Sequence, residues 1–184
     1  MSAYCSFIAG LSDDTTNPNK EYHDHHYGYN IDNDNELFER LILEINQAGL
    51  SWTTILNKQA SFKKAYSNFD IKKVAKYKET DIERLLNDAG IIRNKLKVNA
   101  TIHNANVILG LQKEHGSFKK WLLLHHPLTK QEWVKLFKKH FKFTGGEIVG
   151  EFLMSIGILP GSHAETCPTY KTILDQNPLW LNKK

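Results

Sequence analysis

An all-α fold is predicted by three observations. Apolar residues return every three or four positions in segment after segment, capping residues open those segments, and glycine or proline closes them. No pair of alternating runs joined by a hairpin turn occurs, and no internal repeat or low-complexity tract interrupts the pattern.

The elements follow in order. Asp34 or Asn35 caps a helix with Leu37, Phe38, Leu41, Ile42 and Ile45 on one face, ending near Gly49. Ser51 caps the next, which holds Trp52, Ile55, Leu56 and Phe62. Asp70 starts a short helix through Tyr77, and Thr80-Asp81-Ile82-Glu83 reads as a capping box for a helix stopped by Gly90. After the link Gly90-Ile91-Ile92-Arg93, a longer helix runs from about Asn94 to Lys113. Ser117 caps Phe118 to Leu124, which Pro127 closes. Thr129-Lys130-Gln131-Glu132 is a second capping box, and Gly145-Gly146 precede a last apolar helix, Ile148 to Ile156. The ends, 1–33 and 161–184, carry no such pattern and read as irregular. One domain spanning 1–184 is expected.

Composition agrees. A chain of 184 residues, 41% hydrophobic and 24% charged, has ample length for a core and is neither disordered nor a coiled coil. Two cysteines do not make a disulfide scaffold, no apolar run reaches bilayer length, and Met1-Ser2-Ala3-Tyr4-Cys5 lacks the basic and apolar regions of a signal peptide. The cytoplasm is the expected compartment. The net charge of +4 conceals a segregation. Nine acids face Lys20 and Arg40 between Gly10 and Thr54, whereas eleven Lys or Arg face Glu114 and Glu132 between Arg93 and Lys142. A basic stretch suits a polyanion; taken alone it also describes solvated lysine-rich helices.

Both cysteines lie in the irregular ends, and nine histidines accompany them. His163 and Cys167 stand four apart, and the N-terminal segment holds Cys5 and Tyr22-His23-Asp24-His25-His26. Two ligands from each end would form a Cys2His2 clasp. The alternative is a pair of buried small thiols among surface histidines. Glu44 sits inside an apolar helical stretch, either as a partly buried carboxylate that does chemistry or on a polar edge beside Arg40. Trp52, Tyr22, Tyr27 and Phe7 form a candidate aromatic box for a flat or cationic ligand, or else ordinary core packing.

These residues coincide with a family pattern over essentially the whole chain. Its marks are Cys5, Tyr22-His23-Asp24 with Tyr27-Gly28, Leu37-Phe38-Glu39, and Leu43-Glu44 with Gln47-Ala48-Gly49-Leu50-Ser51-Trp52. They continue through Asp88-Ala89-Gly90-Ile91-Ile92-Arg93, Phe141-Lys142-Phe143, Gly145, Phe152, and His163 with Cys167. The sequence resembles the DNA-3-methyladenine glycosylase I family of the helix-hairpin-helix glycosylase superfamily. The resemblance implies a helix-hairpin-helix bundle with a structural Zn2+ held by Cys5, His23, His163 and Cys167. It implies base-excision repair of alkylated double-stranded DNA by a monomeric, monofunctional glycosylase, which hydrolyses the N-glycosidic bond of flipped 3-methyladenine. Glu44 is then the catalytic carboxylate, and Trp52, Tyr22, Tyr27 and Phe7 form the base pocket. Gly90, Arg93, Lys95 and Lys97 would grip the DNA backbone, with Gln47 and Leu50 at a turn that fills the gap left by the base. For Leu50 an interhelical core contact stands as an equal reading.

The chain departs from better-known members at several places. They carry Trp at the positions of Phe7 and Tyr27 and an acid at that of His26. They also carry a Thr-Thr pair, a Tyr and a Gln in the last apolar helix, where this chain has Glu147, Ile148, Gly150 and Met154. Glu147 and Glu151 bring carboxylates near the expected pocket, which bears on base range and admits 3-methylguanine or another cationic adduct. Glu147 also reads simply as a helix-terminal acid. Two competing functions remain: a catalytically inactive, zinc-clasped DNA-binding protein, and a metal-dependent hydrolase built on His23, His25 and His26.

Overall fold

The computed structural model describes residues 3–11 and 16–182. Eleven α-helices and no strand occur among the described residues. They are α1 (Ala3–Ala9), α2 (Pro18–His25), α3 (Asp34–Gln47), α4 (Trp52–Ala65), α5 (Ile71–Val74) and α6 (Glu79–Asn87). The chain continues through α7 (Lys95–His115), α8 (Phe118–His125), α9 (Lys130–His140), α10 (Gly146–Ser155) and α11 (Pro168–Asp175).

Helix α3 is the axis of the bundle. Leu37, Phe38, Leu41, Ile42 and Ile45 are fully buried, which places an apolar surface around most of the helix, and α4, α7, α8 and α10 pack against it. Its first turn is capped by Asn33, whose side chain accepts from the N–H groups of Asn35 and Glu36. Asp34 caps elsewhere: its carboxylate accepts from the N–H groups of Phe118 and Lys119 at 2.8 and 3.0 Å and from Gln112 at 2.7 Å. One acid thus ties the start of α3 to the start of α8. A second, smaller hydrophobic group, Tyr22, Tyr27 and Leu56 with Tyr4 and Trp52 against it, adjoins this core through Trp52.

The two ends are not irregular. α1 buries Cys5 and Ile8, α2 buries Tyr22 and His23, and α11 follows Cys167. Asn17 caps α2 with Pro18 in its first turn, and Pro168 opens α11. Helices of seven or eight residues are unstable alone, so contacts with the rest of the molecule hold them. Positions 1–2, 12–15 and 183–184 of the expected domain lie outside the described residues. The Thr80 box also shifts: α6 begins at Glu79, and the Asp81 carboxylate accepts from the Lys78 N–H at 3.0 Å. Asp81 thus does, from two residues earlier, the work expected of Glu83. The helix expected from Asp70 to Tyr77 ends at Val74, and α10 starts at Gly146, two residues before Ile148.

The hairpin between α6 and α7 is braced by its own side chains and by one from α4. Asp88 accepts from the Gly90 N–H at 2.7 Å, Lys58 of α4 donates to the Ala89 carbonyl at 2.9 Å, and Asn94 caps α7. No helix among the described residues is long and apolar enough to cross a membrane.

Candidate functional site

Cys5 from α1, His23 from α2, and His163 and Cys167 from the segment leading into α11 meet in one buried cluster, with all four ligand atoms within 4.8 Å of one another. The nitrogen-to-sulfur separations are 3.4 and 3.7 Å for His23 Nε2 and 3.9 and 3.6 Å for His163 Nδ1. A tetrahedral ion with bonds of about 2.3 Å to sulfur and about 2.0 Å to nitrogen requires roughly 3.6 Å between such atoms. The cluster therefore has the dimensions of a closed four-ligand metal centre. The outer ring nitrogens are also committed: His23 Nδ1 donates to Asp24 at 2.7 Å and His163 Nε2 to the Tyr27 carbonyl at 2.7 Å. Each imidazole then turns a lone pair inward. Burial holds His163 below the usual imidazole range, which favours that neutral form.

His25 and His26 stay outside this cluster. Their half-exposed side chains lie 3.8 and 3.6 Å from the Glu21 carboxylate. A hydrolase built on three neighbouring histidines finds no such site, because a helix directs adjacent side chains to different faces.

The aromatic group surrounds a cavity of about 350 Å³ lined by Tyr4, Tyr22, Tyr27, Glu44, Gln47, Trp52, Glu151, Met154 and Ser162, with Ala3 and Gly161 at its edge. Tyr22 meets Trp52 with ring centroids 5.0 Å apart, and Tyr4 meets Tyr27 edge-on at 5.7 Å. Faces of this kind attract a flat cation. Burial raises the three tyrosines above their ordinary range, so the hydroxyls remain protonated donors. The Trp52 Nε1–H is buried without a partner among the described residues, a donor of the sort that binding sites retain.

Glu44 projects from α3 into this cavity and is 5% exposed. Burial lifts its carboxyl to about 8; the Arg40 guanidinium opposes that rise and the Glu151 carboxylate adds to it. Arg40, one turn earlier, is itself buried and donates to the Tyr22 hydroxyl at 3.1 Å and to the carbonyls of His26 and Ser155 at 3.2 Å. Gly28 completes the wall, since its N–H donates to the Ser155 carbonyl at 2.8 Å and a Cβ there would collide with Ser162. Its φ of +89° is open to glycine at little cost.

A second cavity of about 410 Å³ shares Glu44, Gln47 and Glu151 with the first and opens between the end of α3 and the start of α10. Beside it the Gln47–Leu50 turn is locked twice: Leu50 N–H donates to the Gln47 carbonyl at 2.7 Å, and Gln47 Nε2 returns a bond to the Leu50 carbonyl at 2.8 Å. Gly49 takes φ +84°, and the Leu50 side chain emerges 39% exposed, so it is not an interhelical core contact. Phe143, 38% exposed, holds a positive φ that few aromatic residues adopt.

Placement of the other expected residues is mixed. Arg93 and Lys95 are exposed to solvent after the hairpin glycine Gly90. Lys97 does not join them. It is buried, its ammonium donating to the carbonyls of Asn46 and Ala48 at 2.8 and 2.9 Å, where it satisfies the open end of α3. Helical spacing from Lys95 turns Lys97 inward. Phe7 is 47% exposed and lies outside the cavity lining, stacked on Tyr4 at 6.3 Å, so Tyr4 takes the place expected for it. The signal for Tyr4 was its position beside Cys5. Glu147 is exposed, pairs with Lys130 at 3.4 Å and occupies the first turn of α10, the bland role.

Comparison with known proteins agrees with this geometry. Residues 13–135 match the family model for methyladenine glycosylase. The chain is 34% identical over 167 residues to the DNA-3-methyladenine glycosylase of Haemophilus influenzae, spanning 80% of this chain and 90% of that protein. A crystal structure of a variant 3-methyladenine DNA glycosylase I from Staphylococcus aureus superposes with a TM-score of 0.79 at 29% identity, covering 88% of this chain and 95% of the other. Another structure of such an enzyme, in complex with 3-methyladenine, gives 0.77 at 29% identity over 90% and 96%. The chain belongs to the methyladenine glycosylase family.

Proposed function

We propose that this protein is a monofunctional DNA glycosylase of base-excision repair that removes 3-methyladenine from alkylated duplex DNA. The observation that carries the reading is the buried Glu44 carboxyl inside an aromatic cavity, in a chain whose structural relatives include one complexed with 3-methyladenine. N3-alkylation leaves adenine cationic, so its glycosidic bond is already weakened. The base must leave the helix stack to be reached. Trp52 and the tyrosines supply stacking and cation–π attraction, and Glu44 accepts from the exocyclic amine. The C1′–N bond then breaks with its electron pair passing to the base, which departs neutral. Water adds to the resulting oxocarbenium-like sugar and releases a proton. The positive charge of the bound base favours the ionised form of Glu44, and a carboxylate near the sugar favours the charge that develops on it. No lysine lines the cavity among the described residues, so no amine nucleophile is at hand for lyase chemistry.

Leu50 is the wedge that fills the gap left by the base, with Gln47 beside it. Gly90, Arg93 and Lys95 hold the phosphate backbone through N–H groups and positive charge. The Cys2His2 centre takes Zn2+, whose closed coordination leaves it a structural part. Its donor set and spacing support that metal. We assign one domain and a monomer, supported by the single large core, and the cytoplasm, supported by two cysteines that sit in the metal cluster and not in a disulfide. Mass spectrometry of bases released from methylated DNA tests the proposal. Glu44→Gln should lower 3-methyladenine release roughly ten- to hundredfold, the worth of one hydrogen bond to a charged group. Wild-type rates from that variant would refute Glu44 as the working carboxylate.

A further inference from the structure

One exposed aromatic side chain serves neither the core nor the turn it occupies. Phe143, in the link between α9 and α10, takes φ +62° and leaves 38% of its surface exposed. A left-handed backbone costs an aromatic residue free energy that glycine would avoid. Its neighbours enforce it. Asn104 of α7, fully buried, accepts from the Lys142 N–H at 2.8 Å and donates to the Lys142 carbonyl at 3.1 Å. On the other side the buried Thr144 hydroxyl donates to the Phe141 carbonyl at 3.2 Å, and Phe141 is buried against Phe137 and Trp121. The link is anchored on both sides of Phe143, which holds the ring outward at a fixed place.

That place adjoins the Gln47–Leu50 turn. The Lys97 ammonium, which binds the Asn46 and Ala48 carbonyls, also lies 5.9 Å from the centre of the Phe143 ring. The second cavity is lined by Ala48 and Gly49 from one segment and by Gly145 and Gly146 from the other. Leu50 follows the first pair by one residue, and Phe143 precedes the second by two. Lys138, Lys139 and Lys142, just before the ring in the chain, are exposed, a basic flank suited to a phosphate backbone. Flipping a nucleotide leaves two faults in a duplex: a gap in one strand and an unpaired base in the other. A branched aliphatic chain such as Leu50 fills a gap, whereas a flat ring replaces lost stacking. We propose that Phe143 is a positioning residue for base extrusion, stacking on the base left unpaired in the opposite strand while Leu50 occupies the gap. This rests on the glycosylase reading above. The anchored link supplies a ring that needs no ordering at the moment of contact.

Binding of the full chain to labelled duplexes, followed by fluorescence anisotropy, tests the assignment. One duplex is intact, one carries a tetrahydrofuran abasic analogue, and a third lacks the opposite base as well. The native protein should prefer the singly abasic duplex to the intact one. Phe143→Ala should weaken binding to the singly abasic duplex about tenfold, the worth of one base stacked on a ring, and Phe143→Tyr should restore it. Binding to the intact duplex should not change, which separates a lost contact from lost folding. On the doubly abasic duplex the native protein and Phe143→Ala should bind alike. Equal affinities of the two for the singly abasic duplex overturn the proposal, as does a loss that persists when the opposite base is absent. Release of 3-methyladenine by the native protein, measured alongside, keeps those outcomes distinct from failure of the glycosylase reading. If no base is released, that reading falls and takes this inference with it.

Discussion

Arg40 Nη1 donates to the Tyr22 hydroxyl at 3.1 Å while the guanidinium carbon lies 4.9 Å from the centre of the same ring. A tyrosine that accepts from a cation has its own proton directed elsewhere, so Tyr22 is set up as a donor toward the cavity. The same cation draws the Glu44 carboxyl downward against burial.

Arg40→Met should therefore shift the chemistry as well as the stability. With the cation gone, the Glu44 carboxyl rises above about 8, and the ascending limb of the kcat/KM profile moves to higher pH. The carbonyls and hydroxyl it served lose a donor, at a cost of about 1–3 kcal/mol. A pH–rate profile of the variant superimposable on the native one would contradict this account.

Glu44 itself makes folding depend on pH. Its folded value, about 8, stands above the ordinary 4.5 of a glutamate, so the folded chain keeps a proton that the unfolded chain has already released. Stability then falls as pH rises between those values, at a slope approaching about 1.4 kcal/mol per pH unit. Glu44→Gln does not ionise and escapes the penalty. Melting curves should place the variant above the native protein by a margin that widens from pH 5 toward pH 8 and then levels off. A margin independent of pH would mean that burial does not perturb the carboxyl.

The metal centre gives a prediction of a different kind. Elemental analysis should find about one zinc per chain, and Cys167→Ser should lose it. Removing a clasp worth about 3 kcal/mol lowers Tm by about 6–12 °C in a chain of this size. Chelation should do the same and zinc should reverse it. Unaltered melting after metal removal would leave the clasp without a role in stability.

Arg93, Lys95 and Lys97 separate two uses of positive charge. Arg93→Ala or Lys95→Ala should weaken DNA binding and reduce the salt dependence by about one ion each. Lys97→Met should leave that slope unchanged and lower Tm, because its ammonium holds the carbonyls of Asn46 and Ala48. A reduced slope for the Lys97 variant would return it to the DNA face.

Long helices were legible because their pattern repeats: α3 and α7 bury residues at each turn, and caps at Ser51, Ser117 and Thr129 stand where read. The short helices α1, α2 and α11 escaped because seven or eight residues hold barely two turns of any period. Their proline starts at Pro18 and Pro168 were the readable signal. Within the site, Glu44, Trp52 and the four ligands were visible as residue types in a pattern. The inward turn of Lys97, the exposure of Phe7 and the pairing of Tyr27 with Glu151 depend on tertiary packing, which spacing along the chain does not encode.

Tyr27 belongs to two structures at once. Its carbonyl accepts from the metal ligand His163 and its hydroxyl donates to Glu151 in the cavity. Tyr4 and Tyr22 are likewise chain neighbours of Cys5 and His23. Every tyrosine lining the cavity is thus one peptide or one hydrogen bond from the ion's ligands. An ion bound there would therefore brace the walls of the cavity as well as the two ends of the chain.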